Sequence, residues 1–254
     1  MKISIITPVL NGEKFLASCL ESTKNQLNVS IEHILVDGGS TDLTIEIAKS
    51  FNVKIIIAPN TSIYEANNIG IKHSTGDIIC FLNSDDFFTN QNSLKIVHDI
   101  FTEDKYIDIL YGNVHIVNKD NNFLYNYKPV KWFNYHIAKL ALFIVPHSST
   151  FFKKEIFSIY GDYDVRFKYS SDIDYILILK KNRANFKYFN YYFSTFRRHN
   201  NNRSDELSSR NDFNLICEKH NFIYFETLQK ISYFFLNISN LNYFKFLIRR
   251  NFSK

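Results

Sequence analysis

Along the first half of the chain, short apolar runs alternate with stretches whose apolar residues recur at helical spacing. Residues 2–7 read as a strand that Pro8 ends, and Asn11-Gly12 makes the turn. Residues 13–26 carry Phe15, Leu16, Cys19 and Leu20 at the 3.6-residue period of a helix. Strands follow at 31–36 and 53–58, with a loop over 37–42 and a helix to about residue 51 between them. In that loop Ser40 or Thr41 is the expected N-cap. A helix over 64–73 leads to a fourth strand at 77–82, a helix over 92–101 and a strand over 108–117. The fourth strand is the most informative. Its apolar run, Ile78 to Leu82, ends almost at once in the adjacent carboxylates Asp85 and Asp86.

Strands alternating with helices across short turns predict an α/β fold with a mostly parallel sheet flanked by helices. Right-handed crossovers place the ends of the first, second and fourth strands on one rim, so Thr7, Asp37, Asp85 and Asp86 are expected to converge. Beyond residue 118 the order loosens. Residues 121–129 suggest an edge hairpin or loop, 149–152 a short strand, 173–181 a helix and 186–196 an aromatic-rich strand. Two or three helical stretches follow from residue 205. The expected organisation is a first half, 1–118, a second half of the same domain, 119–204, and C-terminal helices over 205–254. No internal repeat is visible.

Composition refines this picture little. The 254 residues suffice for one large domain with an appendage, and glycine and proline are scarce. Net charge is +5, but it is unevenly placed. Arg197, Arg198 and Arg203 form one basic cluster, and Lys245, Arg249, Arg250 and Lys254 form another. Such patches favour phosphates, lipid head groups or nucleic acid. Cys19, Cys80 and Cys217 fit neither a zinc spacing nor a disulfide framework, so a reducing compartment is expected, with Cys80 a small core residue. The N-terminus does not read as a signal peptide, and no apolar run reaches the ~18 residues of a membrane span. Around Tyr233 and Tyr243, bulky apolar residues mix with cations as in interfacial helices; such a helix packed on the domain, with its Lys and Arg stems snorkelling, is the alternative.

Two acids at the end of a buried strand are costly unless something cationic satisfies them. A divalent metal carrying a diphosphate does so, because Mg²⁺ is commonly held by one or two carboxylates plus substrate phosphates. Ligands of open α/β sheets sit at the carboxyl ends of strands. Five motifs then occur in order: Thr7-Pro8-Val9-Leu10-Asn11-Gly12, Asp37-Gly38-Gly39-Ser40-Thr41-Asp42, Ala66-Asn67-Asn68-Ile69-Gly70, Gly76-Asp77, and Asn83-Ser84-Asp85-Asp86. Together they resemble the nucleotide-sugar half of the family 2 glycosyltransferases, inverting enzymes with a GT-A fold. A second set, His147-Ser148-Ser149-Thr150, Gly161-Asp162-Tyr163-Asp164 and Ser171-Asp172-Ile173-Asp174, resembles their acceptor half.

The resemblance implies roles. Thr7, Pro8, Asn11, Asp37, Asn68, Asn83, Ser84 and Asp85 would bind the nucleotide sugar, the first three largely through backbone. Asp85 and Asp86 would hold Mg²⁺ or Mn²⁺ with the diphosphate. Asp172 would be the catalytic base, and His147, Asp174 and Arg198 would face the acceptor. The chain departs from the family pattern where Asn83 and Gly38 replace acids that many relatives carry, and where the loop 58–62 has Asn60 for a common Asp.

Plainer roles stand beside these. Asp85-Asp86 suit a helix cap, Asp37 and Asp42 turn and cap residues, Asp172 an N-cap, and His147 a satisfied half-buried histidine. Asp174 suits a supporting or solvent-facing acid. His199 with Arg197, Arg198 and Arg203 suits either a diphosphate or a solvated loop. Lys131-Trp132-Phe133 suits a sugar platform or a packing anchor. The expected function is transfer of a hexose or N-acetylhexosamine from a UDP-sugar to a glycan or lipid-linked oligosaccharide in bacterial O-antigen or capsule synthesis. The expected place is cytoplasmic, with peripheral contact to the inner membrane through residues 222–254. The alternative is a catalytically degenerate nucleotide-sugar-binding module. No nucleic-acid motif is present, and no nucleic-acid partner is expected.

Overall fold

The structure is a computed structural model that describes residues 1–136, 145–199 and 209–222. The first half contains β1 (Lys2–Val9), α1 (Leu16–Lys24), β2 (Ser30–Asp37), α2 (Thr44–Lys49), β3 (Lys54–Ile57), α3 (Ile63–His73), β4 (Ile78–Phe81), β5 (Phe87–Phe88) and α4 (Ser93–Glu103). The second contains β6 (Ile109–Asn118), β7 (Phe123–Tyr127), β8 (Thr150–Lys153), α5 (Glu155–Tyr160), α6 (Ser171–Lys181), β9 (Phe186–Arg198) and α7 (Ser209–Lys219). Of the helices expected after residue 205, α7 is described. Residues 223–254, nearly all of the segment expected at the membrane, lie outside the described residues, as does Arg203. Among the described residues no helix is long and apolar enough to cross a membrane.

The strands form one nine-stranded sheet in the order β3-β2-β1-β4-β8-β6-β9-β5, with β7 paired to β6. The α/β class is as expected, but the sheet is mixed. Pairing is parallel across β3-β2-β1-β4 and again between β6 and β9. It is antiparallel where β8 enters between β4 and β6, where β5 meets β9, and in the β6–β7 edge hairpin. Strand alternation divides the core into two layers. Ile3, Ile5, Ile78 and Cys80 face α1 and α4, and Ile6, Ile79 and Phe81 face α3 and the helices of the second half. Each such fully buried side chain contributes about 1.5–3 kcal/mol. Gly70 lets α3 settle directly on β1, since a Cβ there would lie 2.3 Å from Ile6 Cγ2.

Two local expectations are corrected. Pro8 lies inside β1 rather than ending it. The Ile6 carbonyl accepts from Leu82 on the β4 side, and alternation puts the Pro8 nitrogen on that side, beyond the last β1–β4 pair at Ile6–Phe81. The missing N–H therefore removes no ladder bond. Neither Ser40 nor Thr41 caps α2, which starts at Thr44 after Leu43. Asp42 accepts from the Thr44 N–H instead, at 3.0 Å, in keeping with its expected turn role. The elements the sequence pattern did not reveal, β5 and α5, are two and six residues long, too short for periodicity to show.

Candidate functional site

The carboxyl ends of β1, β2 and β4 share one rim. Val9 pairs with Asp37, and Gly12 lies against Ser84, whose Oγ would be 3.3 Å from a Cβ at that glycine. Asn11 sits in the left-handed region at φ 51°, where asparagine is tolerated. Its N–H donates to Ser40 Oγ at 2.8 Å, and its Oδ1 accepts from the Thr41 N–H at 2.9 Å. Gly12 N–H donates to Thr44 Oγ1 at 2.8 Å, so the β1 and β2 loops are laced together. Asp37 is buried at the base of this lacing. Its Oδ1 accepts the N–H groups of Gly39 and Ser40, each at 2.9 Å, and its Oδ2 accepts the Ser40 hydroxyl. Three of a carboxylate's roughly four acceptor positions thus shape its own loop. Thr7 points to the α1 face, with Oγ1 2.8 Å from His33 Nε2, which leaves its backbone at the rim.

Beyond β4, Asn83 and Ser84 are half-buried and the two carboxylates diverge. Asp86 is fully buried, with Oδ1 taking the Arg197 N–H at 3.1 Å and Oδ2 3.4 Å from the Asn83 amide. Burial, and then the Asp85 charge, push its pKa well above the usual range, against the hydrogen bonds of Arg197 and Asn83. Asp85 is partly exposed, with Oδ2 2.8 Å from His199 Nε2. The Arg197 guanidinium lies 4.4 Å from the Phe15 ring centroid and donates to Ser18 Oγ at 3.0 Å. Burial draws its pKa down while Asp85 and Asp86 draw it up. The two-residue β5 makes this meeting, because Phe87 and Phe88 pair with Thr195 and Ser194 of β9. Arg197 and His199 thereby close the site from the far end of the chain. Arg198, expected to face the acceptor, alternates to the other side and pairs with Asn118 of β6.

Among the described residues, no three His, Cys, Asp or Glu side chains are grouped to hold a metal unaided. Asp85 nonetheless presents at the rim, beside His199, a carboxylate of the kind that holds Mg²⁺ or Mn²⁺ together with phosphate oxygens. Asp86, expected as a second ligand, stands behind Asp85 with its oxygens turned to Arg197 and Asn83.

The other side of the rim is built around Asp172, in the first turn of α6. Tyr64, from α3, donates its hydroxyl to Asp172 Oδ1 at 2.8 Å and approaches the Tyr169 carbonyl at 3.2 Å. The two sides meet at Phe81, the last residue of β4. His147 stacks on Phe81 with ring centroids 4.7 Å apart and places Nε2 2.9 Å from the Tyr163 hydroxyl. Burial, then the Asp172 charge, keep the Tyr64 and Tyr163 hydroxyls protonated. Burial holds the His147 imidazole below its usual pKa, opposed by Asp172, so it is a neutral half-buried ring at neutral pH rather than a phosphate-binding cation. Asn68 clasps Tyr163 with both amide atoms, donating to its carbonyl at 2.9 Å and accepting its N–H at 3.0 Å. It holds the loop that carries Tyr163. Asp174 does not face an acceptor. It is buried, with its oxygens 2.8 Å from Lys219 Nζ and 2.8 Å from His220 Nε2. Trp132 is 70% exposed, and Phe133 beside it is the packing anchor.

Sequence reading missed Tyr64, Tyr163, Arg197 as a buried partner of the acids, and Asp212, which binds the turn before α6. A signal existed for Arg197: it continues the buried alternation Phe193, Thr195 in β9. For Tyr64 and Asp212, whose partners lie 108 and 43 residues away, the local pattern holds none.

Comparison with known proteins agrees with this geometry. A family model described as Glycosyl transferase family 2 matches residues 4–161. A PGL/p-HBAD biosynthesis glycosyltransferase of Mycobacterium bovis is 32% identical over 180 residues, covering 68% of this chain and 67% of that protein. The minor teichoic acid biosynthesis protein GgaA of Bacillus subtilis is 37% identical over 117 residues, 42% of this chain and 26% of that one. Among solved structures, residues 1–349 of S. aureus TarS superpose with a TM-score of 0.69 at 18% identity, covering 92% of this chain and 72% of that one. The same protein in complex with UDP-GlcNAc gives 0.68 at 17% identity, covering 92% and 73%. The shared architecture is the GT-A fold.

Proposed function

The chain belongs to glycosyl transferase family 2, and from that premise we propose that it is an inverting enzyme acting on a UDP-sugar. It moves a hexose or N-acetylhexosamine to a glycan acceptor carried on a polyprenyl diphosphate, in the synthesis of a bacterial surface polysaccharide. Support for the donor comes from TarS, whose fold is shared and which has been solved with UDP and with UDP-GlcNAc. Support for a surface polymer comes from the relative named for minor teichoic acid biosynthesis.

The observation that carries the reading is the separation of carboxylates on one rim. Asp85 stands with His199 on the donor side, and Asp172 stands apart with Tyr64, near the His147 and Tyr163 rings that pack on Phe81. The laced loops of Asn11 and Asp37 position the nucleotide. Asp172 takes the proton of the acceptor hydroxyl as its oxygen bonds to the anomeric carbon, while the bond from that carbon to the diphosphate oxygen breaks and UDP departs with the electron pair. Attack opposite the leaving group inverts the centre. A divalent cation held by Asp85 with the diphosphate oxygens would act there as Lewis acid on the departing diphosphate. Asp86, buried behind, fixes Arg197 so that its charge balances the donor side.

The test is a screen of UDP-glucose, UDP-galactose, UDP-GlcNAc and UDP-GalNAc with a synthetic lipid-diphosphate GlcNAc acceptor, with and without Mn²⁺. Transfer by the wild type that Asp172→Asn abolishes, with UDP affinity retained, supports the reading. UDP binding with no turnover on any donor favours the non-catalytic module. Peripheral membrane contact through residues 222–254 belongs to the same proposal and is read by sedimentation with liposomes after deletion of residues 238–254.

A further inference from the structure

We propose that α7 is a clamp that sets the position of Asp172, with Asp212 as its positioning residue; this rests on the reading of Asp172 as the base. Asp212 is 5% exposed, and its Oδ2 accepts the backbone N–H of Tyr169 at 2.6 Å and of Ser170 at 3.1 Å. These peptides immediately precede α6, where Ser170 makes no side-chain cap of its own. The carbonyl of Tyr169 in turn meets the Tyr64 hydroxyl that donates to Asp172. On the far side of Asp172, Asp174 takes Lys219 Nζ, from the last residue of α7, and His220 Nε2, from the residue that follows it. His220 is fixed by the Tyr135 hydroxyl, 3.2 Å from its Nδ1. Polar links from one helix thus land at residues 169, 170 and 174 and bracket the carboxylate. Between them Ile216, fully buried, packs into the core that holds Tyr175 and Ile176.

The arrangement exceeds what docking a helix requires. An amphipathic helix is held by its apolar face, and burying charged groups adds desolvation cost that only good pairing offsets. Here the buried polar atoms of α7 are aimed at the turn and first helical turn that carry Asp172. A base placed wrongly by about 1 Å can lose roughly 100-fold in rate, so holding that turn is worth more to catalysis than to folding. The clamp also lies beyond residues 4–161, the stretch matched by the family model.

The experiment compares full-length wild type, Asp212→Ala, Asp212→Asn, Lys219→Met and Asp172→Asn. The readouts are UDP release from the four UDP-sugars with the lipid-diphosphate GlcNAc acceptor, UDP affinity by calorimetry, thermal melting, and amide exchange of residues 164–176. Both hydrogen bonds of Asp212 end on one oxygen, which an asparagine carbonyl can replace. Asp212→Ala is expected to lower kcat by about 10- to 100-fold, with UDP affinity within about twofold of wild type and faster exchange at 169–174. Asp212→Asn is expected to restore most of the rate and the slow exchange. Lys219→Met, at a partly exposed position, is expected to lower kcat by about threefold or more and serves if Asp212→Ala fails to fold. Wild-type kcat and exchange in folded Asp212→Ala overturn the clamp, as does a parallel fall in kcat, UDP affinity and melting temperature in both variants. Failure of Asp212→Asn to restore the rate also overturns it. An active Asp172→Asn instead removes the base reading, a result distinct from an inert Asp172→Asn beside a fully active Asp212→Ala.

Discussion

The proposed donor side of the rim is laid out by neighbouring parallel strands and then closed by Arg197 and His199, whereas the proposed base side is placed by contacts reaching across the chain without a shared strand edge. Asn11, Asp37 and Asp85 arrive together because β1, β2 and β4 run parallel and side by side, so their ends fall on one edge. The Asn11 and Asp37 loops then satisfy one another through Ser40, Thr41 and Thr44. Asp172 begins a helix whose place depends on Tyr64 from α3, His147 and Tyr163 near Phe81, and Asp212 from α7. The donor side can therefore stay built when the base side is perturbed. That asymmetry suits an enzyme that keeps one donor mode and varies the acceptor, because binding the donor and removing the acceptor proton become separable tasks.

The sharpest way to break the comparison is Asp172→Asn. It is expected to cost roughly 10²–10⁴-fold in transfer, the usual worth of a general base, with UDP affinity unchanged. Loss of UDP binding along with transfer would show that the sides are not separable. Asp85→Ala should do the reverse, lowering UDP affinity in Mn²⁺ and transfer by about 100-fold, as loss of charge stabilisation at a leaving group commonly does. Calorimetry with and without Mn²⁺ reads it, and unchanged affinity would move the donor off this rim. Tyr64→Phe removes one hydrogen bond to the Asp172 carboxylate, worth about 1.5–3 kcal/mol, so kcat should fall by roughly tenfold or more while UDP affinity holds.

The smallest effect on activity is expected at the opposite end of the sheet. Burial opposes ionisation of Glu32, yet hydrogen bonds from Ser4, Thr75 and Lys2 hold its pKa down from the usual 4.5 to about 2. A carboxylate with a lowered native pKa adds stability that is whole above 4.5 and is lost as the pH falls through about 2. Glu32→Gln should thus cost about 3 kcal/mol in a neutral-pH denaturant melt, with the gap to wild type closing between pH 4.5 and 2. Its kcat per folded molecule should match wild type. A changed kcat would mean that the far rim is coupled to the site.

Much of the first half was legible because its signals are local. Period-two and period-3.6 patterns gave β1 to β4 and their helices within a few residues, and chain order made the ends of β1, β2 and β4 coincide. Proline was misread because its cost depends on which side of a strand is still paired, which no window of sequence reports. In the second half the strands were legible and their directions were not. A strand's pattern shows which residues are buried, and not whether its neighbour runs with it or against it. Arg197 and Arg198 looked equivalent in sequence, yet alternation along β9 buries Arg197 beside Asp86 and turns Arg198 to the opposite face of the sheet.

The chain alone determined the fold class, the motif order and the identity of the acids, because these depend on side-chain chemistry and on spacing within a few residues. Tertiary structure decided which acids are buried and which partners each one meets. It turned Asp86 inward to Arg197 and buried Asp174 against Lys219 and His220, and it left Asp85 and Asp172 facing the rim. The physical reason is that a carboxylate's role is set by its desolvation and by the donors around it, and those donors come from strands and helices far away in sequence.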